Sequence, residues 1–130
     1  MSTRATYHFH KNRLSCGATV YIHHDGYPEG AAQYLADAIG YEGDYEQTET
    51  LTVEGFIRAN EGAHITASHT AHGDTDYRYD FFDYGLMEVR KREIYQNSFG
   101  EYQEAWKPYW SGRLSDFLHT FIDEIIVEKI

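Results

Sequence analysis

The sequence predicts an α+β fold: an antiparallel sheet of five or six strands, with an early helix and an amphipathic C-terminal helix. Three observations predict it. Apolar and polar residues alternate in several short runs separated by turn residues. One stretch with helical spacing lies between Pro28 and Gly40. Residues 111–130 carry a wide apolar stripe at i, i+3, i+4 and i+7.

Each element has its own signature. "ATYHFH" sets Ala5, Tyr7 and Phe9 against Thr6, His8 and His10, and "ATVYIHH" sets Ala18, Val20 and Ile22 against Thr19, Tyr21 and His23. Both have a strand's period of two, and the polar run between them predicts an antiparallel hairpin. In "GAAQYLADAIG" the apolar residues Ala31, Tyr34, Leu35, Ala38 and Ile39 share one helix face. Pro28 suits the first helical position and Gly40 the position just past the end. The acidic "YEGDYEQTET" has no apolar period and reads as a solvated connection. "LTVEGFIRAN" reads as a short helix led by Thr50 and stopped near Asn60, or as an irregular segment, since Gly55 weakens a helix.

"AHITASHTAH" reads as a strand, "HGDTD" as a turn, "YRYDFF" as a strand, "DYG" as a hairpin turn and "LMEVRKREIY" as the returning strand. "SFGEYQEAW" fits a further edge strand. The last helix follows, with Ser111 as its N-cap and Leu114, Phe117, Leu118, Phe121, Ile122, Ile125 and Ile126 on its apolar stripe. The 130 residues fit a single domain, 1–130, with enough chain to bury a core.

Composition narrows the partners. A formal net charge of −10 disfavours double-stranded DNA, so a phosphate ligand would need locally clustered arginines. A single cysteine, Cys16, forbids an internal disulfide, and no segment has the length or apolarity of a membrane span. A soluble, cytoplasmic protein is expected. The 12 tyrosines suit interfaces and ligand pockets as well as ordinary strands.

Four chemistries compete for the polar residues. Eight histidines invite a metal, but His23 and His24 are strand neighbours that point apart, and no HExxH or cysteine pair is present. Nucleophilic catalysis lacks an elbow motif. Its best form is a phosphodiester hydrolase using His23, Asp25 and His69. "DGYPEG" leads into a helix whose first N–H groups could hold a phosphate, although Glu29 opposes one and a strand-to-helix turn explains the residues as well. Nucleotide recognition draws on Arg58 in "FIRAN" and Arg78 in "YRYDFFD": guanidinium forks match phosphate oxygens and aromatic rings stack on bases. Pairing of both arginines with the abundant carboxylates is an equal alternative.

"TRATYHF", "YIHHDGYPEGAAQYL", "FIRAN" and "DTDYRYDFF" resemble the phage anti-defence proteins of the first type that counter the Thoeris system, most weakly over residues 95 to 113. The resemblance implies a binding protein rather than an enzyme, with no catalytic group, cofactor or metal. Such proteins sequester a cyclic ADP-ribose isomer in the host cytoplasm, some also hold cyclic oligonucleotides at a second site, and they assemble as homodimers or assemblies of dimers. Carried onto this chain, Arg58 and Arg78 would contact phosphate, Phe82 would stack on adenine, and Asp83 would bond a ribose or base edge. Asn97 would take the family's asparagine role, Arg113 would serve the second site, and Asp25 and Tyr27 would stand at most at the pocket edge. The competing expectations are a metal- or His/Asp-dependent hydrolase of cyclic nucleotides and an acidic protein that blocks a host protein.

Overall fold

The computed structural model describes residues 3–11, 17–40 and 50–129, with side chains of the last helix described to Ile122. Cys16 and the acidic stretch 41–49 lie outside the described residues. The elements are β1 (Ala5–Phe9), β2 (Ala18–Ile22), α1 (Pro28–Ile39), α2 (Val53–Ala59), β3 (His64–Thr66), β4 (Tyr77–Phe81), β5 (Leu86–Gln96), β6 (Tyr102–Arg113) and α3 (Leu114–Lys129). They form the predicted α+β fold, with a six-stranded sheet in the order β3-β2-β1-β4-β5-β6.

The sheet is mostly antiparallel, but it is mixed. β1 and β4 run parallel, with Ala5 opposite Tyr77 and Phe9 opposite Phe81. The chain leaves β3 at one edge and enters the sheet again at β4, so its connection must pass β2 and β1. Residues 67–76 form that crossing, with one 3₁₀ turn at His69–Ala71. The predicted strand over "AHITASHTAH" therefore shrinks to His64–Thr66. Ser68 ends it by accepting the Thr70 N–H and starting the turn.

Three further boundaries move. α2 is capped by Thr52, whose hydroxyl accepts the Gly55 N–H at 3.1 Å, and not by Thr50. β6 runs for 12 residues and takes in Ser111, so α3 starts at Leu114. A bulge between Val89 and Arg90 admits Pro108 to the edge strand, where its missing N–H costs no ladder bond. α1 spans the predicted residues, with Pro28 at its start and Gly40 left-handed at its end.

Strand alternation sorts the side chains. Tyr7, Phe9, Val20, Ile22, Tyr79, Phe81, Met87 and Val89 face the helices and are buried. Phe56 of α2 packs on the rings of Tyr7 and Phe9, and Phe117 of α3 on Tyr79 and Trp110. The opposite face is polar: Thr6, His8, Thr19, Tyr21, Arg78, Asp80, Glu88 and Arg90 share it. The crossing segment straps the β1–β2 half of this face. His72 stacks on Tyr21 at 3.8 Å, and Tyr21 Oη donates to Asp74. Among the described residues, the β4–β6 half carries no helix.

Beyond β4, whose pairing with β5 stops at Tyr77 opposite Lys91, strands β5 and β6 continue alone as an arm. Ile94, Tyr95, Phe99 and Tyr102 are exposed on it.

Candidate functional site

The polar face is built from the β1–β4 seam outward. Asp80 lies at its centre. Its Oδ1 receives His10 Nε2 at 3.0 Å and His69 Nε2 at 3.1 Å, and its Oδ2 receives Arg90 Nη2 at 3.0 Å. Burial pushes the Asp80 carboxyl up, but the bonds from His69 and His10 and the charges of His69 and Arg90 outweigh it. They hold its pKa well below the usual carboxylate range. His69 also bonds Thr6 Oγ1 at 2.6 Å through Nδ1. His8 bonds Thr19 Oγ1 at 2.7 Å, and its ring meets His10 edge-on with centroids 4.3 Å apart. Burial, then His10 and His69, lower the His8 pKa.

Two residues before Asp80 on the same face of β4, Arg78 leans across β5 to the foot of the arm. Its guanidinium carbon lies 3.8 Å from the centroid of Trp106. Its Nε is buried with no hydrogen-bond partner among the described residues. Burial, then the neighbouring Arg90, lower its pKa, so two cations share this half of the face. Trp106 is itself held: its indole N–H donates to Glu104 at 3.0 Å, Glu104 meets Arg92 at 3.6 Å, and Arg92 meets Asp76 at 3.3 Å. Beside Arg90, the bulge opens a concavity of about 410 Å³ walled by Glu88, Pro108, Tyr109 and Ser111.

Within this one chain the predicted site residues separate into groups. Arg78, Phe82 and Arg113 share the polar side, Arg113 ending β6 opposite Leu86. Phe82 stacks on His10 at 4.4 Å, so one of its ring faces is already covered. Asp83 sits in the turn between β4 and β5 and accepts the Tyr84 N–H. Asn97 is at the tip of the arm, where Oδ1 accepts the N–H groups of Phe99 and Glu101. Arg58 is exposed on α2, in the helical layer on the other side of the sheet from Arg78.

Asp25 and Tyr27 precede α1, with Tyr27 Oη donating to Asp25 at 3.3 Å. A second concavity of about 420 Å³, between His24, Tyr34, Asn60 and Gly62, lies near them, but the Asn60 amide is committed to the carbonyls of Tyr34 and Phe56. His23, Asp25 and His69 do not converge: His69 is turned to Thr6 and Asp80, Asp25 to Tyr27 and His24. Among the described residues no group of three or more His, Cys, Asp or Glu is arranged to hold a metal ion.

Sequence reasoning missed Arg90, Trp106 and the His10–Asp80–His69 cluster. Arg90 was legible from its alternation with Glu88. Trp106 ends the predicted edge strand "SFGEYQEAW", but no local signal pairs it with Arg78, two strands away.

Comparison with family models, with curated proteins and with solved structures gives no match to this chain. No helix among the described residues is long and apolar enough to cross a membrane.

Proposed function

We propose that the chain binds a cyclic nucleotide signal of the cyclic ADP-ribose class on the polar face around Arg78 and holds it uncleaved. In the host cytoplasm this would withdraw the signal from a Thoeris-type receptor. The observation that carries the reading is the Arg78 guanidinium. It is already immobilised on Trp106, it stands beside a second cation, and its Nε donor has no partner among the described residues. Such a group costs little further entropy when it meets an anion. Ligand bound at a concentration above Kd is lost to any receptor by mass action. Assembly of two or more copies, which the resemblance implies, would multiply the sites, and Arg113 is the candidate for a second, oligonucleotide site.

Two features favour holding over cleavage. Thr6, the hydroxyl in line with His69 and Asp80, is fully buried and cannot meet a substrate. The His8 and His10 rings touch each other, which leaves no room between them for a reacting phosphorus.

The test loads the protein with cyclic ADP-ribose isomers, removes unbound ligand, heat-denatures the complex and identifies what is released by mass spectrometry. Intact ligand is expected, and Arg78→Ala should retain little. Release of a hydrolysed product would replace this reading with the hydrolase, and no retention by wild type would leave the acidic protein-blocking role.

A further inference from the structure

We infer that Glu88 is the specificity determinant of this site: its carboxylate accepts the O–H groups of a vicinal ribose diol seated in the bulge concavity, while the ligand's phosphates lie toward Arg78 and Arg90. This rests on the proposed nucleotide site and adds the group that tells a sugar nucleotide from a bare phosphate. The β4–β5 register carries it. Arg78 stands directly opposite Arg90, and Asp80 directly opposite Glu88, all on the polar face. Like charges opposite each other on one sheet face destabilise the pairing. One diagonal relieves this square of charges: Arg90 Nη2 meets Asp80 Oδ2 at 3.0 Å. The remaining corners, Arg78 and Glu88, carry opposite charges and form no ion pair among the described residues.

The two free corners fit a ligand that is anionic at one end and donates hydrogen bonds at the other. Glu88 walls the concavity of about 410 Å³, with Ser111 opposite it on β6. Arg90 lines the same concavity two residues along β5, about 7 Å away in backbone. That spacing suits the phosphate and the diol of one ribose phosphate. A carboxylate offers acceptors only, so it matches two neighbouring O–H donors. It does not match the adenine edge, where an acceptor adjoins the amine donor. The same carboxylate repels phosphate from its end of the concavity and so fixes the direction in which the ligand lies.

Titration calorimetry with three probes tests this: cyclic ADP-ribose, its analogue lacking one hydroxyl of the free ribose diol, and inorganic pyrophosphate. Wild type should prefer the intact nucleotide to the deoxy analogue by about tenfold or more, the worth of one hydrogen bond to a charged group. Glu88→Gln should reduce that preference to less than about threefold, since the bond becomes a neutral one. The variant should bind pyrophosphate as tightly as wild type or more tightly, because a negative charge has left the site. Its melting temperature should not fall, because the repulsion from Asp80 is gone.

A full preference retained in Glu88→Gln, or equal weakening of nucleotide and pyrophosphate, would overturn the role of Glu88 while leaving the Arg78 site in place. So would a wild type indifferent to the missing hydroxyl. A lower melting temperature would show that Glu88 supports the fold and would overturn the argument from repulsion. Failure of wild type to bind cyclic ADP-ribose would overturn the site and the role of Glu88 together.

Discussion

Tyr7 and Tyr79 lie ring on ring across the parallel β1–β4 seam, centroids 4.8 Å apart and planes 7° apart, and their hydroxyls have opposite fates. Tyr79 Oη donates to the Gly26 carbonyl at 2.6 Å. Tyr7 Oη is buried with no partner among the described residues. Tyr79→Phe should therefore cost about 1–3 kcal/mol, because it strands a buried carbonyl. Tyr7→Phe should leave stability unchanged or raise it by about 1 kcal/mol, because it removes a hydroxyl that was desolvated for nothing. Urea unfolding of both variants checks this, and equal losses would count against it.

Gly30 should resist the substitution that usually helps a helix. Alanine is favoured over glycine by about 1 kcal/mol inside an open helix. At Gly30 an added Cβ collides with the Asp25 carbonyl oxygen, and it would lie 2.9 Å from the Asp25 Cβ. Asp25 cannot easily retreat, since it already holds a φ of 54°. Gly30→Ala should lose about 1–3 kcal/mol. Gly73→Ala, where no atom lies within 4 Å, should change stability by less than about 0.5 kcal/mol. Thermal melts of the pair give the comparison.

Asp80 makes stability depend on acid. Its folded pKa is depressed, so its contribution is present above the unfolded value of about 3.9 and is lost as pH falls through the folded one. The urea midpoint of wild type should exceed that of Asp80→Asn at pH 7, and the gap should narrow steadily below about pH 4. A gap that stays constant down to pH 2 would mean that the carboxylate is not held by His69, His10 and Arg90.

Asn97→Ala should loosen the arm and leave the proposed nucleotide binding intact. The amide oxygen of Asn97 is spent on the N–H groups of Phe99 and Glu101, so its role is to close the turn. Hydrogen exchange at Phe99 and Glu101 should accelerate in the variant, with affinity for cyclic ADP-ribose unchanged. A loss of affinity would return Asn97 to the pocket.

Most local structure was legible because its causes are local. The alternation of Ala5 to Phe9 and Ala18 to Ile22, and the placing of Pro28 and Gly40, need no knowledge of the rest of the chain. The parallel seam was not legible. Strand order depends on pairing between distant segments, and "YRYDFF" reads the same beside a parallel or an antiparallel neighbour. The second half of β6 was not legible, since Pro108 and Gly112 disfavour a strand interior, yet an edge strand tolerates both. For the candidate site, the sequence sets Arg78 among aromatic neighbours. Its actual ring, Trp106, comes from two strands away, and the His10–Asp80 bond joins residues 70 positions apart. "YIHHDGYPEG", the densest run of polar and turn residues, serves to turn β2 into α1.

That separation of 70 residues also orders the assembly of the molecule in time. The β5–β6 hairpin closes through a turn at Asn97–Glu101 and needs only neighbouring chain. The β1–β4 seam must first bring together two distant parts of the sequence and pay the entropy of the long loop between them. The seam is therefore expected to close after the hairpin. Truncating Tyr79 should then mainly hasten unfolding, whereas weakening the hairpin turn should mainly slow folding, a difference readable from the two arms of a chevron plot. The polar face straddles this seam, so on that order Asp80 meets His10 only after the β5–β6 hairpin has closed.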